Sequence, residues 1–303
     1  MRVAVTGAGG LIGSALVPAL RSQGHDVVRL VRREPVSDDE IRWDPASGRL
    51  DPRMLAGVDA AVHLSGAGVG DRRWSPAYKQ TIRASRIDST RTLAGALAHV
   101  VPRPAVLVCG SAVGYYGDRG EETLTEDSSP GHTFLAEVTC GWEAATAPAA
   151  QAGVRVVHAR TGLVLSGTGG ALGRLATLTR AGLAGPLGSG RQWWSWISRA
   201  DEVGALVHLL TADLSGPVNL TAPNPVRHRE LVTELARLLH RPSLVPAPAF
   251  ALRLALGEFA GELLASQRVL PRRLLASGYR YRHPDLRAAL AWALADDGHR
   301  LPT

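Results

Sequence analysis

The sequence predicts an α/β fold: a doubly wound parallel sheet, followed by a smaller, mostly helical C-terminal domain. Three observations lead there. Short β-type runs alternate with helical stretches through the first half of the chain. A glycine cluster, Gly7-Ala8-Gly9-Gly10, interrupts the passage from first strand to first helix. After Arg160 the texture turns glycine-rich and then helical. Alternation of strand and helix favours parallel pairing, because each crossover helix carries the chain back to the starting end of the sheet and covers one of its faces.

The elements follow in order. Residues 2–6 read as the first strand, and the helical pattern of 11–23 stops at Gly24. Segments 26–32, 60–64, 105–109 and 155–159 read as further strands. Helices over 77–99 and 134–151 separate them, the second interrupted by Pro148, whose ring removes an N–H donor and crowds the preceding turn. Residues 166–192 are rich in glycine and run into Trp193-Trp194-Ser195-Trp196. A helix over 201–213 and a strand over 218–221 return to the sheet. From Pro223 onward the chain is mostly helical, with a proline-rich link at 242–248 and helical patterns at 249–265 and 284–295.

Composition narrows the function classes. The chain has 303 residues, 45% of them hydrophobic, enough for a sizeable core. It holds no run of 18 apolar residues and opens directly on a strand, so neither a membrane span nor a secretory signal is expected, and the cytoplasm is the default location. Cys109 and Cys140 are too few for a disulfide framework, lack metal-ligand spacing, and read as buried thiols. The formal charge is +7, but the arginines are scattered without interleaved aromatics, so nucleic-acid binding is not expected. Lys79 is the only lysine.

Thr6-Gly7-Ala8-Gly9-Gly10-Leu11-Ile12-Gly13 is the strongest motif. Gly7, Gly10 and Gly13 stand at G-x-x-G-x-x-G spacing, after a strand and at the opening of a helix. Gly7 permits the tight turn, Gly10 lets backbone approach a pyrophosphate, and Gly13 lets the helix pack close to the strand. Leu11 and Ile12 complete the loop, whose helix N-terminus offers unpaired N–H groups to phosphates. This predicts a Rossmann-type dinucleotide-binding domain over 1–164 plus 199–221. A substrate domain over 165–198 plus 222–303 closes over the C-terminal edge of the sheet. The second strand ends in Val31-Arg32-Arg33, where NAD-binding domains commonly place an acid on the ribose 2′-hydroxyl. Arg32 and Arg33 instead suit a 2′-phosphate, so NADP is the expected cofactor; Glu34, directly after them, is the residue that would serve NAD.

Several further segments carry a resemblance to a known family: Asp59-Ala60-Ala61-Val62-His63-Leu64-Ser65-Gly66, Ser85-Arg86, Gly110-Ser111-Ala112-Val113-Gly114-Tyr115-Tyr116-Gly117, Gly185 to Gln192, Asn219 to Pro225, and Ser266-Gln267-Arg268-Val269-Leu270-Pro271. Over nearly its whole length the chain resembles the atypical short-chain dehydrogenase/reductases. Within them it resembles the epimerase-like family with a C-terminal domain of unknown function, in the NAD-dependent epimerase/dehydratase superfamily. The resemblance implies that Leu64, Ser65 and Gly66 line the adenosine side and that Arg86 reaches the cofactor. It also implies that Val164 approaches the nicotinamide end and that Arg32 meets the 2′-phosphate.

Hydride-transferring relatives pair a tyrosine with a lysine four residues later. That pair is absent, because Ser75 stands four residues before Lys79, and no basic residue lies between His132 and Arg155. The usual hydrogen-bonding Ser or Thr is replaced by Ala112, with Ser111 one residue away. Tyr115, Tyr116, Asp118, His132 and Glu137 remain as candidates. Tyr116 is the first choice for proton donor, unless it packs beneath the nicotinamide. Glu137 is a general base if desolvated and otherwise a solvated helix residue. Arg191 is a candidate ligand for an anionic substrate group, and Trp194 either stacks on substrate or anchors a core. The expectation is an NADP-dependent oxidoreductase-like or epimerase-like protein acting on an unidentified small molecule. The alternative is a non-enzymatic NADP-binding sensor or scaffold. Oligomeric state stays open.

Overall fold

The computed structural model describes residues 1–167, 169–243 and 245–296. Thr168, Leu244 and 297–303, which the sequence assigns to the C-terminal domain, lie outside the described residues. The strands are β1 (Arg2–Thr6), β2 (Asp26–Val31), β3 (Glu40–Arg42), β4 (Ala60–His63), β5 (Val106–Ala112), β6 (Thr123–Leu124), β7 (Arg155–Thr161), β8 (Leu163–Leu165), β9 (Trp193–Trp194), β10 (Trp196–Ser198), β11 (Gly216–Leu220), β12 (Val226–Arg227) and β13 (Arg268–Val269). The helices are α1 (Gly13–Ser22), α2 (Pro76–Leu97), α3 (Phe134–Ala144), α4 (Ala147–Gln151), α5 (Gly170–Arg180), α6 (Arg199–Thr211), α7 (His228–Leu238), α8 (Ala249–Leu256), α9 (Phe259–Leu264), α10 (Arg272–Ala276) and α11 (Leu286–Asp296).

Seven strands form one parallel sheet in the order β11-β7-β5-β4-β1-β2-β3. The chain winds outward from β1 to β3, then crosses to the other side at β4. Strand order therefore reverses between β1 and β4, and in open α/β sheets that reversal leaves a ligand crevice at the carboxyl ends of the strands. The register pairs Thr6 with His63 and His63 with Cys109, bringing the ends of β1 and β4 level beside β5, which runs on to Ala112.

The strand and helix expectations hold with informative differences. β5 continues through Gly110 to Ala112, and β7 reaches Thr161. The sequence reading ends this strand at Cys109, before Gly110. In the strand a Cβ there would stand 3.0 Å from the His63 carbonyl oxygen and 3.2 Å from the Trp142 ring, so the glycine serves packing. The helix over 134–151 breaks before Pro148 rather than at it: α3 ends at Ala144, and Pro148 sits in the first turn of α4, where its missing N–H has no partner to lose.

The described chain divides into two compact units. Unit 1 is 1–115, 134–160 and 203–218, and unit 2 is 116–133, 161–202 and the residues from Asn219 onward. Segment 116–133, which the sequence reading keeps with the sheet domain, clusters with unit 2. The core of unit 1 gathers Val28, Leu30 and Ile41 from the sheet with Trp43, Leu55, Leu93, Leu97 and Trp142. In unit 2, α7 buries Leu231, Val232, Leu235 and Ala236, the i, i+1, i+4, i+5 stripe of an amphipathic helix, and Leu231 and Leu235 join a core with Leu165, Leu172, Trp196 and Leu290. Among the described residues no helix is long and apolar enough to cross a membrane. Cys109 is fully buried, which pushes its thiol up to about 12, whereas Cys140 is only half-buried.

Candidate functional site

The glycine loop lies at the C-terminal end of β1, and Gly7 and Gly13 each have a measurable reason. Gly7 has φ +68°, and a Cβ there would come within 2.7 Å of the Leu64 carbonyl group. A Cβ on Gly13 would lie 2.2 Å from the Gly7 carbonyl oxygen, so no other residue lets α1 start this close to β1. The Gly10 N–H donates to Gly7 at 2.9 Å and closes the turn. α1 begins without a side-chain cap and with no acid in its first turn. The positive end of its dipole therefore faces outward unneutralised, as an anion site requires.

A buried polar chain that sequence reasoning missed fixes the loop against β4 and α2. Ser89 donates its hydroxyl proton to the Ser85 carbonyl at 2.6 Å. His63 Nε2 must then donate to Ser89 Oγ, 3.1 Å away, which leaves Nδ1 to accept from the Thr6 hydroxyl at 2.7 Å. The Leu64 N–H donates to the same Thr6 oxygen at 3.1 Å. Burial pushes the His63 imidazole down to about 3, so it stays neutral as this chain of bonds demands. A histidine inside a strand-end motif was the one available signal.

Leu64, Ser65 and Gly66 follow β4 directly, level with the glycine loop. A Cβ on Gly66 would be 3.1 Å from the central carbon of the Arg86 guanidinium, so the glycine clears space for that side chain. Arg86 donates to the carbonyls of Ala67 at 2.9 Å and Ile82 at 3.2 Å, and its guanidinium lies 5.1 Å from the Trp142 ring centroid. Burial lowers its pKa to about 10, which still leaves it cationic at neutral pH. Among the described residues no carboxylate pairs with it.

The residues after β2 separate in role. Arg33 donates to both oxygens of Glu40, at 2.6 and 2.7 Å, and the Glu40 side chain is fully buried. Arg33 thereby serves, together with Arg29 at 3.2 Å, as a counter-ion that lets Glu40 sit inside β3. Arg32 is exposed and makes no ion pair among the described residues. Glu34, the residue that would favour NAD, is ion-paired to Arg42.

The candidate acid–base groups fare differently. Tyr116 is fully buried in unit 2, where its hydroxyl donates to Asn219 Oδ1 at 2.7 Å. Asn219 in turn donates to the Leu270 carbonyl at 3.0 Å. This ties Tyr116 into the packing of unit 2 and turns its proton away from solvent. Glu137 is not desolvated, being 63% exposed and 3.5 Å from Arg83, so the condition attached to it as a base is unmet. Ser111 does face inward: it donates to Glu143 at 2.6 Å, and Arg160 holds the same carboxylate at 2.8 and 2.9 Å while lying 3.4 Å from the Tyr115 ring centroid. With Ser111 and Arg160 both buried, this triad braces β5, β7 and α3.

In unit 2, Val164 lies half-buried in β8, paired with Ile197 of β10. Trp194 packs on the unit 2 core, edge-on to His228 at 4.4 Å, with its indole N–H donating to Leu263 at 3.3 Å. These contacts anchor the partly buried Trp194 to that core. Arg191 is exposed.

The comparisons agree with this geometry. Residues 3–220 match the NAD dependent epimerase/dehydratase family, and 247–293 match a domain of unknown function, DUF1731. The chain is 47% identical over 298 residues to the epimerase family protein Mb2239 of Mycobacterium bovis, covering 98% of each chain. It is 34% identical to the human epimerase family protein SDR39U1, crystallised with NADPH, with a TM-score of 0.90 over 98% of this chain and 100% of that one. MoeE5, solved in complex with UDP-glucuronic acid and NAD, is 25% identical with a TM-score of 0.79 over 99% and 100%. With its glycine loop, its reversed strand order and these matches across most of its length, the chain belongs to the NAD-dependent epimerase/dehydratase family.

Proposed function

We propose that the chain binds NADP on unit 1 and uses it in redox or epimerisation chemistry on a small molecule. The observation that carries the cofactor reading is electrostatic. Around a glycine loop shaped for a pyrophosphate, Arg86 is a half-buried cation without a carboxylate, and Arg32 is an exposed one without an ion pair. Glu34, the acid two residues after Arg32, is ion-paired with Arg42. The NADPH bound to the human relative supports the same choice.

When bound, the nicotinamide supplies or accepts a hydride. Gly7, Gly10, Leu11, Ile12 and Gly13 present backbone to the pyrophosphate, and Leu64, Ser65 and Gly66 line the adenosine side. Arg86 holds phosphate charge, Arg32 meets the 2′-phosphate, and Val164 borders the nicotinamide end. Proton transfer lacks the usual activated tyrosine, since Lys79 lies over the Phe134 ring at 4.6 Å and no tyrosine stands four residues before it. Tyr116 serves as proton donor only if its bond to Asn219 opens.

A second reading, a cofactor-binding sensor or scaffold without turnover, is favoured by that missing pair and by the engagement of Tyr116. Arg32→Ala separates the cofactor question from both. It should weaken NADPH binding roughly tenfold or more while leaving NADH nearly unchanged, as read by calorimetry, because only the 2′-phosphate contact is lost. Equal losses for the two would remove Arg32 from the site. A turnover screen with NADPH against carbonyl compounds and sugar nucleotides then decides between enzyme and sensor. Turnover that falls about a hundredfold in Tyr116→Phe supports the proton-donor role, and turnover unaffected by that change refutes it.

A further inference from the structure

Unit 2 carries a second basic cluster that neither the cofactor nor the fold accounts for. The guanidinium groups of Arg227 and Arg268 both lie over the Trp193 ring, their central carbons 3.9 and 4.7 Å from its centroid. Arg227 stands in β12, paired antiparallel with β9, and Arg268 stands in β13, paired with β6. Both cations are thus carried by strands. The Arg268 Nε is buried and has no acceptor among the described residues. A guanidinium N–H taken out of water without a partner is costly, and it marks a place where an acceptor belongs.

The acceptor now in the cluster is the chain's own. Glu121 accepts from both terminal nitrogens of Arg227, at 2.8 and 2.7 Å, and from the Trp193 indole N–H at 3.0 Å. Two parallel N–H bonds from one guanidinium to one carboxylate are the geometry by which arginine recognises any carboxylate or phosphate. Arg227 and then Trp193 hold the Glu121 carboxyl down at about 2, so it is ionised at every working pH. Glu121 is nevertheless 69% exposed, so its carboxylate sits where an oxyanion arriving from solvent can compete for the same donors. Arg191 adjoins the pair, its backbone carbonyl accepting from Arg227, and its charge adds to the positive field at Glu121. Glu230, the other acid near Arg227, is committed to the start of α7, where it accepts from the Arg227 backbone N–H at 3.1 Å.

We infer that Arg227, Arg268, Arg191 and Trp193 form a receptor for an oxyanion on a small molecule, a phosphate or carboxylate group, and that Glu121 is an internal occupant which that ligand displaces. The inference deepens the proposed function and rests on its reading of unit 2 as the substrate-binding part. A polar ligand with at least one negative oxyanion is the substrate class it selects. Removing Glu121 unmasks the receptor, whereas removing Arg268 takes away the cation whose buried N–H has no acceptor yet.

The test is calorimetric titration of the full chain with inorganic pyrophosphate and, separately, with malonate, each with and without NADPH. Glu121→Gln is expected to tighten binding of at least one probe by roughly two- to fivefold, the size of an exposed ion pair. Arg268→Ala is expected to weaken it about tenfold or more, Arg268→Lys less, and Arg253→Ala on α8 not at all. Pyrophosphate alone responding assigns a phosphate ligand, and malonate alone assigns a carboxylate. The inference is overturned if neither probe binds Glu121→Gln, or if Arg253→Ala weakens binding as much as Arg268→Ala, which would mean nonspecific charge. NADPH affinity is read on the same samples, so failure of the cofactor reading shows as lost NADPH binding with the oxyanion results intact. Unchanged melting temperatures confirm that the variants are folded.

Discussion

Above pH 8 the Glu202→Gln variant is expected to be more stable than the wild type, while at pH 5 the two should be close. Glu202 is fully buried in unit 2, accepts one hydrogen bond from the Thr161 hydroxyl at 2.8 Å, and has no partner for its second oxygen. Burial pushes its carboxyl up to about 8 from the ordinary 4.5. The folded protein therefore keeps a proton that the unfolded chain has already released. Its stability contribution is complete below about pH 4.5, declines as pH rises, and is gone once pH passes 8. One pKa unit is worth about 1.4 kcal/mol, so the wild type should lose on the order of 4 kcal/mol relative to the glutamine variant between pH 5 and pH 9. Urea unfolding at both pH values measures this directly. Parallel stability profiles would show that Glu202 is solvated or paired in the folded protein.

Glu143→Ala should cost about 3–5 kcal/mol of stability, the range for breaking a buried ion pair from one side. The change strips Arg160, only 3% exposed, of its carboxylate and removes the acceptor of Ser111 at the same time. The loss belongs to the remaining buried charge rather than to the bond itself. Replacing both partners, with Glu143→Leu and Arg160→Met together, should therefore recover a large part of it. Chemical denaturation of the single and double variants separates the two effects. A Glu143→Ala variant within about 1 kcal/mol of wild type would mean that solvent reaches this triad when the side chain is removed.

What the sequence made legible follows from the range of each signal. Strands β1, β2 and β4 and the loop Gly7 to Gly13 were readable because alternation, glycine spacing and helix onset are local. β3 was not, because Glu40-Ile41-Arg42 offers one apolar residue among charges, and its buried Glu40 is matched by Arg29 and Arg33 from outside the segment. α5 was hidden by the glycine-rich composition around it, although it closes a hydrophobic face with Leu172 and Ala176. The same limit applies to chemistry. Absence of the Tyr/Lys pair could be read by counting lysines, whereas Ser111, Glu143 and Arg160 are far apart in sequence and no spacing rule joins them. Arg33 and Arg32 are indistinguishable as letters, and only the structure shows that Arg33 pairs with Glu40 of β3. Tyr116 was chosen for its position after a strand end, and its bond to Asn219, more than a hundred residues on, lay beyond any local pattern.

The central claim is that unit 1 is an NADP site built from the glycine loop, Arg86 and Arg32. Its most direct test is calorimetric titration of the purified wild-type chain, freed of carried-over nucleotide, with NADPH and with NADH under the same salt. Binding of both with NADPH tighter by about tenfold or more is the expected result, since the two ligands differ only in the phosphate that an unpaired arginine would hold. Equal affinities, or tighter binding of NADH, would contradict it.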